Sequence, residues 1–221
     1  MTLNIAAIDH VLFDLDGTLI DSSALHAKAF QTVIDEHRPK LGKRFDYDSI
    51  RGMTTYEVFE SLGVPDPDEI RTLTALKQHL YRTSVENGEL QPMEGAMELL
   101  EWLVSRGIGV HLVTGSSSRS AGIALQSARL DRVLGTIVTA DDVAHGKPAP
   151  DGYSTCVQRI QSEPKRCLAV EDATNGIDSA HAAGLIVVGV FDPTAQPTAD
   201  YWFSDLLSFH SHLSEPVEAT A

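Results

Sequence analysis

Four carboxylates, one lysine and a run of hydroxyls stand where they would suit a single chemical task. Asp14 and Asp16 close an apolar run in "VLFDLDGTLID" (11–21), just before Gly17. Thr114 heads "TGSSS" (114–118), Lys147 sits in "GKPAPD" (146–151), and Glu171 and Asp172 end "CLAVED" (167–172). Gathered in a small volume, such acids repel one another unless a cation neutralises them. A hard, all-oxygen donor set selects Mg²⁺, which commonly takes one or two carboxylates and completes its shell with water and phosphate. Lys147 adds a compact positive charge, while Thr114 and the backbone N–H groups of the turn after it suit phosphoryl oxygens. The chemistry this points to is phosphoryl transfer.

These residues must be brought together by the fold, and the hydrophobic pattern says how. Short apolar runs at 10–14, 109–114, 135–139, 167–172 and 186–191 alternate with amphipathic segments at 95–105, 118–128, 152–161 and 175–183. That alternation predicts βαβ units and an α/β fold on a parallel sheet. "YWFS" (201–204) adds an edge strand. Ligands in open parallel sheets bind beyond the carboxyl ends of the strands, and each candidate residue follows such an end. Gly17 permits the tight turn that carries both aspartates forward.

The interval 22–91 breaks the pattern. Its segments at 24–37, 54–63 and 67–88 have helical periodicity and no convincing strand, which predicts a small helical domain inserted into the core of 1–21 and 92–221. Hinges are expected near 20–23 and 89–92, so that the insert swings over the sheet edge. The tail "SEPVEATA" is polar and predicted to fray.

Composition narrows the partners. The 221 residues are 43% hydrophobic and carry a formal charge of −14, without a basic run. Nucleic acid and anionic membranes are therefore poor partners, because binding them depends on clustered Lys and Arg. No 18-residue apolar stretch occurs, and the first residues lack a basic region, so neither a membrane span nor a signal peptide is expected. Cys156 and Cys167 lack metal-ligand spacing and read as reduced packing residues of a cytoplasmic protein. Nothing in the sequence demands more than a monomer.

"DLDGT", "VTGSS", "GKPAPD" and "VEDATNGI" resemble, in order and approximate spacing, the four motifs of the haloacid dehalogenase superfamily, and the helical insert resembles that family's first-type cap. The resemblance implies a Rossmann-like core, a helical cap and an aspartyl-phosphate route. Asp14 then matches the nucleophile and Asp16 the general acid/base. Thr114 and Lys147 match the groups that hold and neutralise the phosphoryl oxygens. Asp172 matches the metal ligand, joined by Asp14 and the Asp16 backbone carbonyl, with Glu171 as ligand or supporting neighbour. His26, twelve residues past Asp14, matches a substrate-side histidine. Arg51 and Thr55 on the cap loop, and Ser116, complete the expected substrate contacts.

Asp16 argues against haloalkanoate dehalogenation, whose substrates have no alkoxide to protonate, and the stretch 51–59 lacks the lysine of the phosphonatases. A phosphatase acting on a small phosphorylated metabolite, a sugar or polyol monophosphate, is the favoured reading. The alternatives are a mutase like beta-phosphoglucomutase, whose cap grips a second phosphate with a basic residue where Thr55 stands here, and a non-catalytic protein that kept the fold.

Overall fold

The computed structural model describes residues 3–42, 45–50 and 53–214. Its centre is β1 (His10–Phe13), whose side chains alternate between two apolar layers. Val11 and Phe13 join one layer and Leu12 the other. A strand buried on both faces must be apolar on both, which is why it reads as a continuous hydrophobic run. The next two strands, β2 (Ile20–Asp21) and β3 (Gln91–Pro92), form a separate antiparallel ribbon. They occupy the two stretches expected as hinges, and at two residues each they leave no periodicity to read.

Between these short strands run α1 (Ser23–His37), α2 (Thr55–Ser61) and α3 (Pro67–Glu86). They share an apolar cluster of their own, in which Phe30, Val33, Phe59, Ile70 and Leu73 are buried. A capping box fixes the start of α2: the Thr54 hydroxyl accepts the Glu57 N–H while the Glu57 carboxylate accepts the Thr54 N–H. Asp66 caps α3, with Pro67 at its first position.

The chain then returns through α4 (Ala96–Ser105), β4 (Gly109–Val113), α5 (Ser118–Ala128), β5 (Ile137–Val138), α6 (Asp151–Arg159), β6 (Cys167–Glu171), α7 (Thr174–Ala182), β7 (Ile186–Val190), β8 (Tyr201–Phe203) and α8 (Leu206–Ser214). The six-stranded sheet has the order β5-β4-β1-β6-β7-β8 and is parallel throughout. The expected edge strand is β8. Helices α4, α5 and α8 cover one face, through Leu99, Leu125 and Phe209, and α6 and α7 cover the other, through Tyr153 and Ile177. The sequence pattern gave no helix at α8. Of the expected fraying tail, only Ser214 lies among the described residues. Both cysteines are buried and unpaired, and no described helix is long and apolar enough to cross a membrane.

The order of strands sets the site. After β1 the chain builds outward on one side through β4 and β5, then crosses back to build outward on the other through β6, β7 and β8. The crevice where the direction reverses opens at the carboxyl ends of β1, β4 and β6.

Candidate active site

Asp14, the first residue after β1, is 6% exposed, and its N–H donates to the Val170 carbonyl at 3.0 Å. Lys147 reaches it from the loop before α6. The Lys147 ammonium donates to Asp14 Oδ1 at 2.5 Å, to Glu171 Oε1 at 2.6 Å and to the Val113 carbonyl at 3.1 Å, so its three hydrogens are spent on β1, β6 and β4 together. Burial works against that charge, but Asp14 and Glu171 outweigh burial and hold the ammonium above its ordinary range. Tyr153 donates its hydroxyl to the same Glu171 oxygen at 2.5 Å.

One oxygen each from Asp14, Glu171 and Asp172 lie within 4.8 Å of one another, all three residues buried. Thr18 donates to Asp172 Oδ1 at 3.4 Å. Burial, then the charges of Glu171, Asp172 and Asp16, push the Asp14 carboxyl well up, against the pull of Lys147. A single ammonium does not neutralise three buried acids, and a hard all-oxygen trio of this spacing fits a divalent cation. Gly17 makes room for the cluster. Its φ is +90°, and a Cβ there would lie 2.2 Å from Asp172 Oδ2, so both its backbone shape and its closeness exclude a side chain.

Asp16 sits two residues on in the opposite environment. Its carboxylate accepts from the Ser22 hydroxyl at 2.6 Å, from His26 Nε2 at 2.9 Å and from the Ser116 hydroxyl at 2.8 Å. Burial pushes this carboxyl up, but His26 and the two hydroxyls outweigh burial and hold it below the usual carboxylate range. His26 is itself buried, with Nδ1 2.5 Å from Lys77 Nζ, and Tyr81 stacks on the ring at 4.0 Å between centroids. Lys77 lies over the Phe30 ring at 4.4 Å. Burial lowers its ammonium to about 7, while burial and Lys77 lower His26 as well. An ammonium donating to Nδ1 assigns the tautomer, with Nε2–H left to donate to Asp16.

The remaining expected residues fall on the same edge. Thr114 is buried, and its hydroxyl accepts the Ser116 N–H at 3.0 Å. Ser117 caps α5, accepting the Ser120 N–H. Thr55 and Ser116 line a cavity of about 50 Å³ with Asp14, Asp16, Lys77 and Asp172, and its apolar lining includes Phe30, Tyr47, Ile50, Met53 and Val58. His26 lines it too, although both ring nitrogens are committed to Asp16 and Lys77. Arg51 lies outside the described residues.

Besides Ser22 and Thr18, three groups that escaped the sequence reading bear on the site. Lys77 carried a usable signal, since it continues the buried stripe of α3 through Ile70, Leu73, Lys77 and Tyr81, where a lysine is out of place. Tyr153 reads as an ordinary core aromatic, and its hydrogen bond to Glu171 has no sequence signature. The third is Glu57, whose Oε1 accepts the Gly146 N–H at 3.1 Å, joining the start of α2 to the loop that carries Lys147.

Comparison with known proteins finds relatives along most of the chain. The family model described as haloacid dehalogenase-like hydrolase matches residues 11–190. Validoxylamine A 7'-phosphate phosphatase of Streptomyces hygroscopicus subsp. limoneus is 32% identical over 205 residues, covering 88% of this chain and 92% of that one. The fructose-1-phosphate phosphatase of Escherichia coli (strain K12) is 31% identical, covering 81% and 95%. Among solved structures, a hydrolase from Pseudomonas syringae superposes with a TM-score of 0.83 at 26% identity, covering 92% of this chain and 97% of that one.

Proposed function

This chain belongs to the haloacid dehalogenase-like hydrolase family, a phosphoric monoester hydrolase as its named relatives are, and from that premise we propose that it is a Mg²⁺-dependent phosphatase of sugar or polyol monophosphates. The observation that carries this reading is geometric: one oxygen each from buried Asp14, Glu171 and Asp172 lie within 4.8 Å of one another with the Lys147 ammonium on two of them, while Asp16, two residues past Asp14, sits in a separate set of three donors from Ser22, His26 and Ser116.

Asp14 and Asp172 would hold the ion, with Glu171 beside them, and the ion supplies positive charge that keeps Asp14 ionised next to an anionic ester. An Asp14 carboxylate oxygen attacks phosphorus. The bond from phosphorus to the ester oxygen breaks, and that oxygen leaves with the electron pair and takes a proton from Asp16. Lys147, its hydrogens kept on Asp14, Glu171 and the Val113 carbonyl, supplies positive charge beside the transferring group, and the Thr114 hydroxyl holds a phosphoryl oxygen as charge builds on it. Ionised Asp16 then accepts a proton from water, whose oxygen attacks phosphorus and releases Asp14 and inorganic phosphate.

Asp16 must carry a proton for the first half of this cycle, although its surroundings favour the ionised form. The chain from Lys77 through His26 supports delivery: Lys77 gives a proton to Nδ1 as Nε2–H passes to Asp16, and an ammonium lowered to about 7 releases it near neutrality. The helices α1 to α3 act as a cap over the sheet edge, with the β2/β3 ribbon as hinge. The Escherichia coli relative named for fructose 1-phosphate supports the substrate class, and Thr55 at the cavity wall, in place of a second basic residue, weakens a mutase reading.

The test is phosphate release from sugar, polyol and nucleotide monophosphates, with Mg²⁺ and with EDTA, for wild type and Asp14→Asn. Metal-dependent release lost in the variant is expected. Ordinary hydrolysis by Asp14→Asn would overturn the nucleophile assignment.

A further inference from the structure

Asp14 and Glu171 compete for a single ammonium. Lys147 Nζ stands 2.5 Å from Asp14 Oδ1 and 2.6 Å from Glu171 Oε1, nearly the same distance from two carboxylates. On the proposed reading the two acids do different work: Asp14 attacks phosphorus and Glu171 does not. Whatever share of the positive charge Glu171 takes is withdrawn from the nucleophile.

Tyr153 bears on that share. From the first turn of α6 it donates its hydroxyl to Glu171 Oε1 at 2.5 Å, the same oxygen that Lys147 occupies. A hydroxyl dipole on that oxygen offsets part of the carboxylate's negative charge and adds no charge of its own. The ring also carries the ammonium, whose Nζ lies 5.4 Å from its centroid. Tyr153 and Glu171 are 0% and 1% exposed, so solvent supplies no substitute donor. Nor can Glu171 withdraw: a Cβ at position 176 would lie 2.1 Å from its Oε2, so the backbone of α7 backs the carboxylate closely. The surrounding cluster of Leu12, Val113 and Val157 is apolar and would be filled as well by phenylalanine, which leaves the contact with Glu171 as the use of the hydroxyl.

Resting on the phosphatase reading, we infer that Tyr153 is a positioning residue for that reaction: its hydroxyl occupies Glu171 so that the Lys147 ammonium stays on Asp14. It is buried in the core and acts through that carboxylate. Without the hydroxyl, Glu171 draws the lysine toward itself, Asp14 loses part of its counter-charge, and its approach to an anionic phosphoryl group is opposed.

The experiment is a double-mutant cycle on p-nitrophenyl phosphate with Mg²⁺, over wild type, Tyr153→Phe, Glu171→Gln and the double variant. Tyr153→Phe keeps the ring beside the ammonium and removes only the hydroxyl. It is expected to lower kcat about tenfold, the effect of one hydrogen bond to a charged group, and to leave KM unchanged. In the Glu171→Gln background no charge competes for the lysine, so the same replacement should change kcat less than about twofold. Where turnover in that background is too slow to read, calorimetric titration with orthovanadate runs the same cycle. Tyr153→Phe should weaken vanadate about tenfold when Glu171 is present and less than about twofold in Glu171→Gln. Equal losses in both backgrounds, or a Tyr153→Phe protein with the turnover of wild type, overturn the inference and leave the phosphatase reading intact. A wild type that releases phosphate neither from p-nitrophenyl phosphate nor from any sugar or polyol monophosphate overturns the phosphatase reading itself.

Discussion

Replacing Lys147 with methionine isolates the electrostatics of the site. The side chain is 5% exposed and nearly the same volume is kept, so the loss is one of charge. Asp14 and Glu171 then face each other and Asp172 with no ammonium between them. Removing one partner of a buried ion pair typically costs about 3–5 kcal/mol. In a chain of this size each kcal/mol moves the melting temperature by about 2–4 °C, so a fall on the order of 10 °C is expected in EDTA at pH 7.5. The pH dependence follows from Asp14, whose carboxyl is already pushed up and rises further without the lysine. A carboxyl raised on folding stabilises the native state at low pH and loses that contribution as pH climbs through its folded value. The gap between wild type and variant should therefore narrow from pH 7.5 to pH 5. A second replacement, Glu171→Gln, should recover part of the lost stability. Melting curves in EDTA across that range are the assay, with phosphatase turnover as companion, expected to fall by a factor of roughly 10² to 10³. An Lys147→Met protein that melts with wild type at pH 7.5 would refute the claim that this ammonium neutralises the cluster.

Other expectations follow from the same contacts. His26→Gln should slow release from alkyl phosphates on the order of tenfold or more and spare p-nitrophenyl phosphate, whose leaving group needs no proton; equal losses on both would remove His26 from proton delivery. Millimolar Mg²⁺ should raise the melting temperature of wild type and leave Asp172→Asn unmoved, since an ion bound only by the folded state stabilises it by mass action; a shift of equal size in the variant would place the ion elsewhere. At the opposite end of the sheet, His111 Nε2 lies 3.0 Å from His10 Nδ1 while His111 Nδ1 accepts the Thr136 N–H. Burial and His10 lower His111 to about 4, so the unfolded chain binds protons first and stability should decline as pH falls from 6.5 toward 4. Urea midpoints should show that decline in wild type and a flatter profile in His111→Gln.

The sequence exposed what depends on local pattern. The strands of the core, with acids at their carboxyl ends, are runs of apolar residues followed by a turn, and the sheet needed only those runs to be read. That Asp14, Asp16, Lys147 and Asp172 meet at one sheet edge was legible for the same reason. What stayed hidden depends on pairing across long separations. Lys77 meets His26 across 51 positions and Glu57 meets Gly146 across 89. Neither distance is encoded in spacing, although a lysine on the apolar stripe of α3 was a visible anomaly. The β2/β3 ribbon and α8 were lost because two-residue strands have no period and because the last helix follows its strand after only two residues.

The contact between Glu57 and Gly146 has a further consequence. A Cβ at position 146 would lie 2.6 Å from Glu57 Oε2 and 2.8 Å from Thr54 Cγ2, and Glu57 is pinned there by hydrogen bonds from Thr54 as well. The seam where the helical insert meets the sheet edge therefore shuts on bare backbone. On the proposed reading of α1 to α3 as a cap, one methyl group in that seam would act as a doorstop, and Gly146→Ala would separate the geometry of closing from the chemistry that closing permits.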